Sequence, residues 1–200
     1  MPKLVDVDAR RAELLDAVWR IIPRAGIAGV TTRAIAREAN VSNGVLSHYF
    51  PDKDSLLIEA LRTAYSRAHA RMRDATRGLV GLDAVRAIML EALPVDETRL
   101  LEAQIGVSFW ALSLGNEHLV EVIRAEWERF WDVLSFRVDE ARSLGELADG
   151  VDADELTHEL VVLIDGVSAQ AVLYPSRVLP RRQIEILDSI LERVSVRELS

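Results

Sequence analysis

The 200-residue chain has no cysteine, which excludes a disulfide framework, a cysteine-ligated zinc site and a thiol nucleophile. Long apolar runs are also missing. The longest uninterrupted one, residues 160–164, stops at Asp165, far short of the roughly 18 residues that read as a membrane span. Residues 1–6, MPKLVD, carry acid early and no apolar core, so no secretory leader is expected there. Positive charge is not in excess: 24 Lys and Arg stand against 32 Asp and Glu, a net charge of −8. Such a balance argues against coating nucleic acid or membrane along the whole surface. Strand-like alternation is nearly absent. No glycine-rich phosphate loop, HExxH or GxSxG pattern occurs, so no catalytic step is signalled and no cofactor is expected. The default is a soluble cytoplasmic protein.

Half of the residues are apolar, and the length suits one ordinary domain, or a small one plus a medium one, with a sizeable core. The net charge hides an asymmetry. Residues 1–73 hold 12 basic and 8 acidic side chains, a net of +4, whereas the remainder hold 12 and 24, a net of −12. A mildly basic first third on an acidic remainder points to an anion handled at one end only.

Helical periodicity predicts an all-α fold of about nine helices. The first opens near Asp6 or Asp8 and runs to about Ile22, with Pro23 close to its end. Thr31 or Thr32 caps a short second helix, and Ser42 caps a short third that runs to about Tyr49. Asp52 or Lys53 opens a long fourth, to about Thr76. Gly78 and Gly81 mark a hinge, and further helices are expected near residues 82–93, 97–114, 117–142, 152–173 and 180–194.

The densest signal is residues 26–54, GIAGVTTRAIAREANVSNGVLSHYFPDKD. Two short helices separated by a tight turn form a helix-turn-helix, whose second helix enters a DNA major groove. Ile35, Ala36 and Val41 suit the contact between the helices. Ser42, Asn43, Gly44, Ser47 and His48 are small or polar, so the backbone can approach the groove and the side chains can meet base edges or phosphates. Thr31, Thr32 and Arg33 sit at a helix N-terminus, where free N–H groups favour phosphate, and Lys53 can do the same. Tyr49 is either half-core or a phosphate contact, and Phe50 reads as a buried anchor.

These residues resemble the TetR family of transcriptional regulators. The similarity lies in Thr31-Thr32-Arg33-Ala34-Ile35-Ala36, Ala39-Asn40-Val41-Ser42, Gly44-Val45-Leu46, His48-Tyr49-Phe50 and Lys53-Asp54-Ser55-Leu56-Leu57. Val45–Phe50 looks most like the choline/betaine-type repressor branch, and Leu163-Ile164-Asp165-Gly166 with Tyr174-Pro175 is similar to its C-terminal domain. The resemblance implies a helix-turn-helix domain over residues 1–52 and a ligand-binding and dimerisation domain over 53–200, with 53–76 as connecting helix. It implies a homodimer that binds a double-stranded DNA operator, more as repressor than activator, and is released by a small-molecule effector.

The second region carries less. Asp154, Glu155, His158 and Glu159 read as a solvated helix start rather than metal ligands. Trp110, Trp127 and Trp131 crowd two consecutive helices; they fill a core, or they wall an effector pocket with Gln104, Ser108 and Asp165. Such a pocket suits a mainly apolar or cationic ligand, because aromatic faces attract cations and no Arg or Lys cluster accompanies the rings. Arg124, Arg129 and Arg137 are expected on the solvent face, neutralised by Glu121, Glu126, Glu128 and Asp132. Val162, Gly166 and Ala169, with Ile184, Leu187 and Leu191 of the last helix, are candidates for the dimer seam. The rival readings are a helical carrier or interaction protein without DNA binding, and an enzyme using the aromatic cavity.

Overall fold

A computed structural model describes residues 7–196, and the expected start at Asp6 lies outside them. Among the described residues the fold is all-α: α1 Val7–Ala25, α2 Thr32–Glu38, α3 Asn43–Tyr49, α4 Lys53–Ala75, α5 Gly81–Ala92, α6 Glu97–Ser113, α7 Glu117–Ser143, α8 Ala153–Leu173 and α9 Pro180–Val194. A short 3₁₀ turn, Ile27–Gly29, follows α1.

The boundaries follow local chemistry. Thr31, Ser42, Asp52, Asp96, Asn116 and Asp152 each accept a bond from a free backbone N–H in the first turn of the helix that follows. Pro180 opens α9, where its missing N–H is no loss. α1 differs from expectation: it runs through Pro23 to Ala25, and Gly26 at φ 62° ends it. α5 is capped from outside. Glu140 and Glu146 carboxylates accept from the N–H groups of Gly81, at 3.0 Å, and Leu82, at 2.7 Å. Gly81 stands at φ 56° with Glu146 where a side chain would be, so the expected hinge is a fixed junction between α5 and the end of α7.

Two apolar clusters form the core. The first joins α1 to α3 and the N-terminal half of α4 to Ile105, Phe109, Leu119 and Val122 of α6 and α7. The second joins Met72 of α4 to α5, α7, α8 and α9. The core therefore divides within α4, and α6 and α7 reach into the first half. Two side-chain bridges tie α1 to α4: Arg11 with Glu59, and Arg67 with Asp16 at 3.2 Å.

Among the described helices α8 alone is long and apolar enough to cross a membrane, a property that uninterrupted runs do not reveal. It carries Asp165 and packs on α6 and α7. Of its apolar stretch 44% is buried in the single chain, and the exposed residues of α8 include Asp154, Glu155, His158, Glu159 and Gln170.

Candidate functional site

The α2–α3 unit is held by apolar contact and offers a polar face. Ile35, Ala36 and Leu46 are buried between the helices, and Val41 is half-buried beside them. Asn40 takes φ 53° in the turn, a conformation asparagine tolerates better than most side chains. Arg11 fixes the far end of α3, donating to the Tyr49 carbonyl at 3.0 Å with its guanidinium 4.7 Å from the Phe50 ring centre. Thr31, Thr32, Arg33, Ser42, Asn43, Gly44, Ser47 and His48 all remain exposed. Tyr49 and Lys53 are half-buried, Tyr49 lying edge-on to His48. Thr31 and Ser42 side chains are engaged as caps.

Charge on this face is sorted by sign. Glu38 accepts from Arg20 at 2.9 Å and Arg24 at 2.7 Å, which holds its carboxyl below the usual range. Asp52 is held low by the Ser55 N–H that it caps. Arg33, Arg37 and Lys53 enter no ion pair among the described residues. Arg37 was not anticipated; its exposure on α2 is the signal. Arg33 and Arg37 thus give the α2–α3 unit a cationic edge, while Lys53 stands between the exposed acids Asp52 and Asp54.

A cavity of about 110 Å³ lies between α4, α5, α6, α7 and α8. That is space for several waters, below the 300–1,000 Å³ common for drug-sized ligands, so it suits a ligand of few atoms. Trp110 and Trp127 line it with ring centres 6.4 Å apart, and Phe130 stands edge-on to Trp127 at 5.8 Å. Tyr65 and His69 of α4 close the opposite wall. Burial raises the Tyr65 hydroxyl well above its ordinary range, with Glu126 and Asp165 adding to it, so it remains a neutral phenol. Burial lowers His69, which stays neutral near pH 7.

Three carboxylates line the cavity: Glu91, Glu102 and Glu126. Two are spoken for. Arg71 clamps Glu102 at 2.6 and 2.8 Å, and Glu91 takes bonds from Arg99 and Arg71. Burial opposes the Glu91 charge, and those two arginines outweigh it. Glu126 is 7% exposed, and its ion-pair partner, Arg129, stands 3.6 Å away on a side chain that is 69% exposed. The cavity therefore combines ring faces with one weakly compensated carboxylate.

Several expected pocket residues lie elsewhere. Gln104 and Ser108 sit on α6 roughly 130–170° from the stripe that lines the cavity. Trp131 turns to α8, its ring 5.6 Å from that of His158, because a step of four residues rotates it past the cavity edge. Asp165 neighbours Ile164 in sequence but is not in the wall. Glu126 was expected on the solvent face and is instead buried with α7's apolar stripe. The sequence signal was its place in Leu119, Val122, Glu126, Phe130 and Leu134, an acid on a core register. No group of three or more potential metal ligands gathers among the described residues.

Comparison with known proteins agrees with the first-domain geometry and extends it. Residues 14–60 match the family of bacterial regulatory proteins of the tetR type, and residues 81–195 match the C-terminal domain of BetI-type transcriptional repressors. The chain belongs to the TetR family of transcriptional regulators. A BetI regulator of Burkholderia mallei is 32% identical over 182 residues, 86% of this chain and 87% of its own. The regulator PksA of Bacillus subtilis is 29% identical over 199 residues, 99% of this chain and 96% of its own. A solved Rhodococcus regulator is 26% identical with a TM-score of 0.81, covering 92% of this chain and 95% of its own. One from Saccharomonospora viridis, solved with choline, has a TM-score of 0.88 at 24% identity over 95% of this chain and 100% of its own, a likeness of fold. The protein is a TetR/BetI-type transcriptional regulator and not an enzyme.

The expected dimer residues divide. Leu187 and Leu191 are fully buried within the single chain, part of the second core cluster, and cannot touch a partner. α9 turns that stripe inward onto α5 and α8. Val162 is 54% exposed, and Gly166, Ala169 and Ile184 are half-buried. Val162 and Gly166 border an outward groove between α8 and α9 together with Leu163, Val178 and Ile186.

Asp165 has a buried carboxylate oxygen with no hydrogen-bond partner among the described residues, and burial pushes it up to about 6. The folded chain thus holds this proton to higher pH than the unfolded chain, so stability falls as pH rises from about 4 to 6. Asp165→Asn is expected to raise Tm by a few degrees at pH 7, a gain that shrinks towards zero at about pH 4. An equal gain at both pH values in thermal unfolding would remove charge burial as the cause.

Proposed function

We propose that the regulator is a homodimeric repressor that reads its operator through α3 and leaves it when a small organic cation fills the aromatic cavity. The observation that carries the ligand class is Glu126, buried beside Trp110, Trp127 and Phe130 with its ion-pair partner, Arg129, largely exposed at 3.6 Å. Ring faces attract a cation that has left water, and a carboxylate supplies the countercharge. An anion would meet Glu126 there, and the one arginine of the wall, Arg99, is already engaged by Glu91 and Asp96. A quaternary or tertiary ammonium of choline's size fits both the chemistry and the small volume. Such a repressor works in the cytoplasm, where its operator lies.

The expected docking places α3 in the major groove and the N-termini of α2 and α4 against phosphates, with two half-sites roughly 34–36 Å apart. The α8–α9 groove supports two-fold assembly, because its lining is mainly apolar, Gln170, Arg177 and Arg182 aside, and Gly166 leaves open space for a neighbouring helix. Ligand state can reach the DNA-reading half through α6, which walls the cavity with Trp110 and contributes Phe109 to the first core. An operator selected from a random duplex pool, then challenged with choline or tetramethylammonium, tests the whole reading. Release at micromolar to millimolar cation with no release by acetate is expected. Indifference to both cations would exclude the proposed ligand class.

Two expected outcomes separate phosphate from base contacts. Lys53→Ala is expected to weaken all duplexes alike and to reduce the salt dependence by about one unit of slope. An unchanged slope places Lys53 off the DNA. Asn43→Ala and His48→Ala are expected to reduce the preference for operator over random DNA by roughly 1–3 kcal/mol each, with Tm unchanged. A preserved specificity ratio in both variants would show that α3 reads bases through other groups.

A further inference from the structure

The protein has a second cleft, of about 670 Å³, lined by residues of α4, α5 and α7. It contains no residue of α8 or α9, so it lies apart from the proposed dimer groove. Its floor is apolar: Met72, Ile88 and Val133, with the Phe136 ring 62% exposed at the edge. Ile88 and Met72 are almost fully buried, so the exposed apolar surface is that of Phe136 and of Val133, which is 46% exposed, and water covers such surface poorly. The polar rim is basic. Arg73 of α4 and Arg129 and Arg137 of α7 face the cleft against a single carboxylate, Asp132. Arg73 makes no ion pair among the described residues, Arg129 is held only by the 3.6 Å contact to Glu126, and Arg137 is paired with Glu140 at 2.8 Å while lying 5.4 Å from the Phe136 ring centre.

This charge pattern runs against its surroundings, since residues 74–200 carry a net charge of −12. A positive rim over an apolar floor within an acidic half is complementary to one kind of occupant. We propose that the α4–α7 cleft is a second ligand site, for a single-chain amphipathic anion. A carboxylate or phosphate head would sit between Arg73 and Arg129, and a medium-length alkyl chain would lie over Met72, Ile88, Val133 and Phe136. The volume matches small-molecule sites, and paired arginines suit planar oxyanions through charge-assisted bonds. The occupant would bridge α4, which leads directly to the DNA-reading half, and α7, which holds Glu126. The site is chemically opposite to the aromatic cavity, and His69 lies in the wall of both.

Calorimetric titration of the full chain with sodium decanoate and with monodecyl phosphate, each below its micellar concentration, tests this. Saturable binding of at least one is expected, with acetate and inorganic phosphate failing because they lack a chain. Arg73→Glu is expected to weaken binding about tenfold or more while leaving choline binding unchanged, since Arg73 is not in the aromatic cavity. Phe136→Ser, at an exposed position that does not threaten folding, is expected to weaken the alkyl anions likewise. Trp110→Ala is expected to retain them. No saturable binding of either probe to the wild-type protein overturns the proposal. So does binding that survives Arg73→Glu and is lost in Trp110→Ala, which would put the anion in the aromatic cavity. Failure of choline to bind while decanoate binds would overturn the cation reading and leave this site standing.

Discussion

Trp110→Ala is expected to raise the choline concentration needed for release by about 30-fold while leaving ligand-free operator binding nearly intact. The ring lines the cavity, 6.4 Å from Trp127, and lies outside the α2–α3 unit and the cationic edge beside α3. A desolvated cation against an indole face gains about 2 kcal/mol, so loss of one of two such faces weakens the ligand by about 30-fold. Removing a half-buried indole also costs folding stability, of the order of a few kcal/mol. Two controls separate these effects. Trp110→Phe keeps a ring face and is expected to recover part of the response. Glu126→Gln keeps the shape and removes the countercharge, and is expected to weaken choline more than it weakens a neutral isostere of the same size. Release by choline at wild-type concentrations from Trp110→Ala, in a fluorescence anisotropy competition on labelled operator, would return the tryptophan cluster to ordinary core.

The parts of this molecule that sequence makes visible are those governed by local chemistry. Caps such as Thr31, Ser42 and Asp52 act within one turn, so helix starts follow from three or four residues. The helix-turn-helix is visible for the same reason: its turn, its apolar contact and its polar face lie within 30 residues. The aromatic cavity draws on five helices spread over more than 100 residues, and no local pattern says which face of each turns inward. Sequence clustering identified Trp110 and Trp127 but gave no means to separate them from Trp131, which differs only by a small rotation onto α8. Tyr65 and His69 of α4 and Arg99 of α6 reach the cavity from helices that read as ordinary amphipathic elements. Glu126 is the instructive miss. Charge counting assigned it to solvent with its neighbours, whereas its register on the apolar stripe of α7 put it in the core. Register outweighs residue type here, because the backbone fixes the direction in which a side chain leaves the helix.

The last helix repeats that lesson, and a charge placed on either of its two sides is expected to have opposite consequences. Leu187 has no exposed surface in the single chain, and Leu187→Glu would bury an unpaired carboxylate among α5, α8 and α9. Its expected result is a destabilisation of about 3–5 kcal/mol, read as loss of the folding transition or as aggregation, whatever the assembly state. Val162 is 54% exposed beside Gly166, and Val162→Glu would leave the fold of one chain untouched. In a two-fold assembly across the α8–α9 groove the same change brings two carboxylates into the seam, where the cost of burying them exceeds what pairing with Arg177 or Arg182 of the same lining returns. The expected product is a folded monomer by light scattering, with wild-type helicity. Its operator affinity is expected to fall by about 100-fold or more, since one half-site no longer positions the other reader. A Val162→Glu protein that remains a dimer with full operator affinity would move the seam off this groove. A stable Leu187→Glu protein would show that α9 packs differently from the arrangement described here.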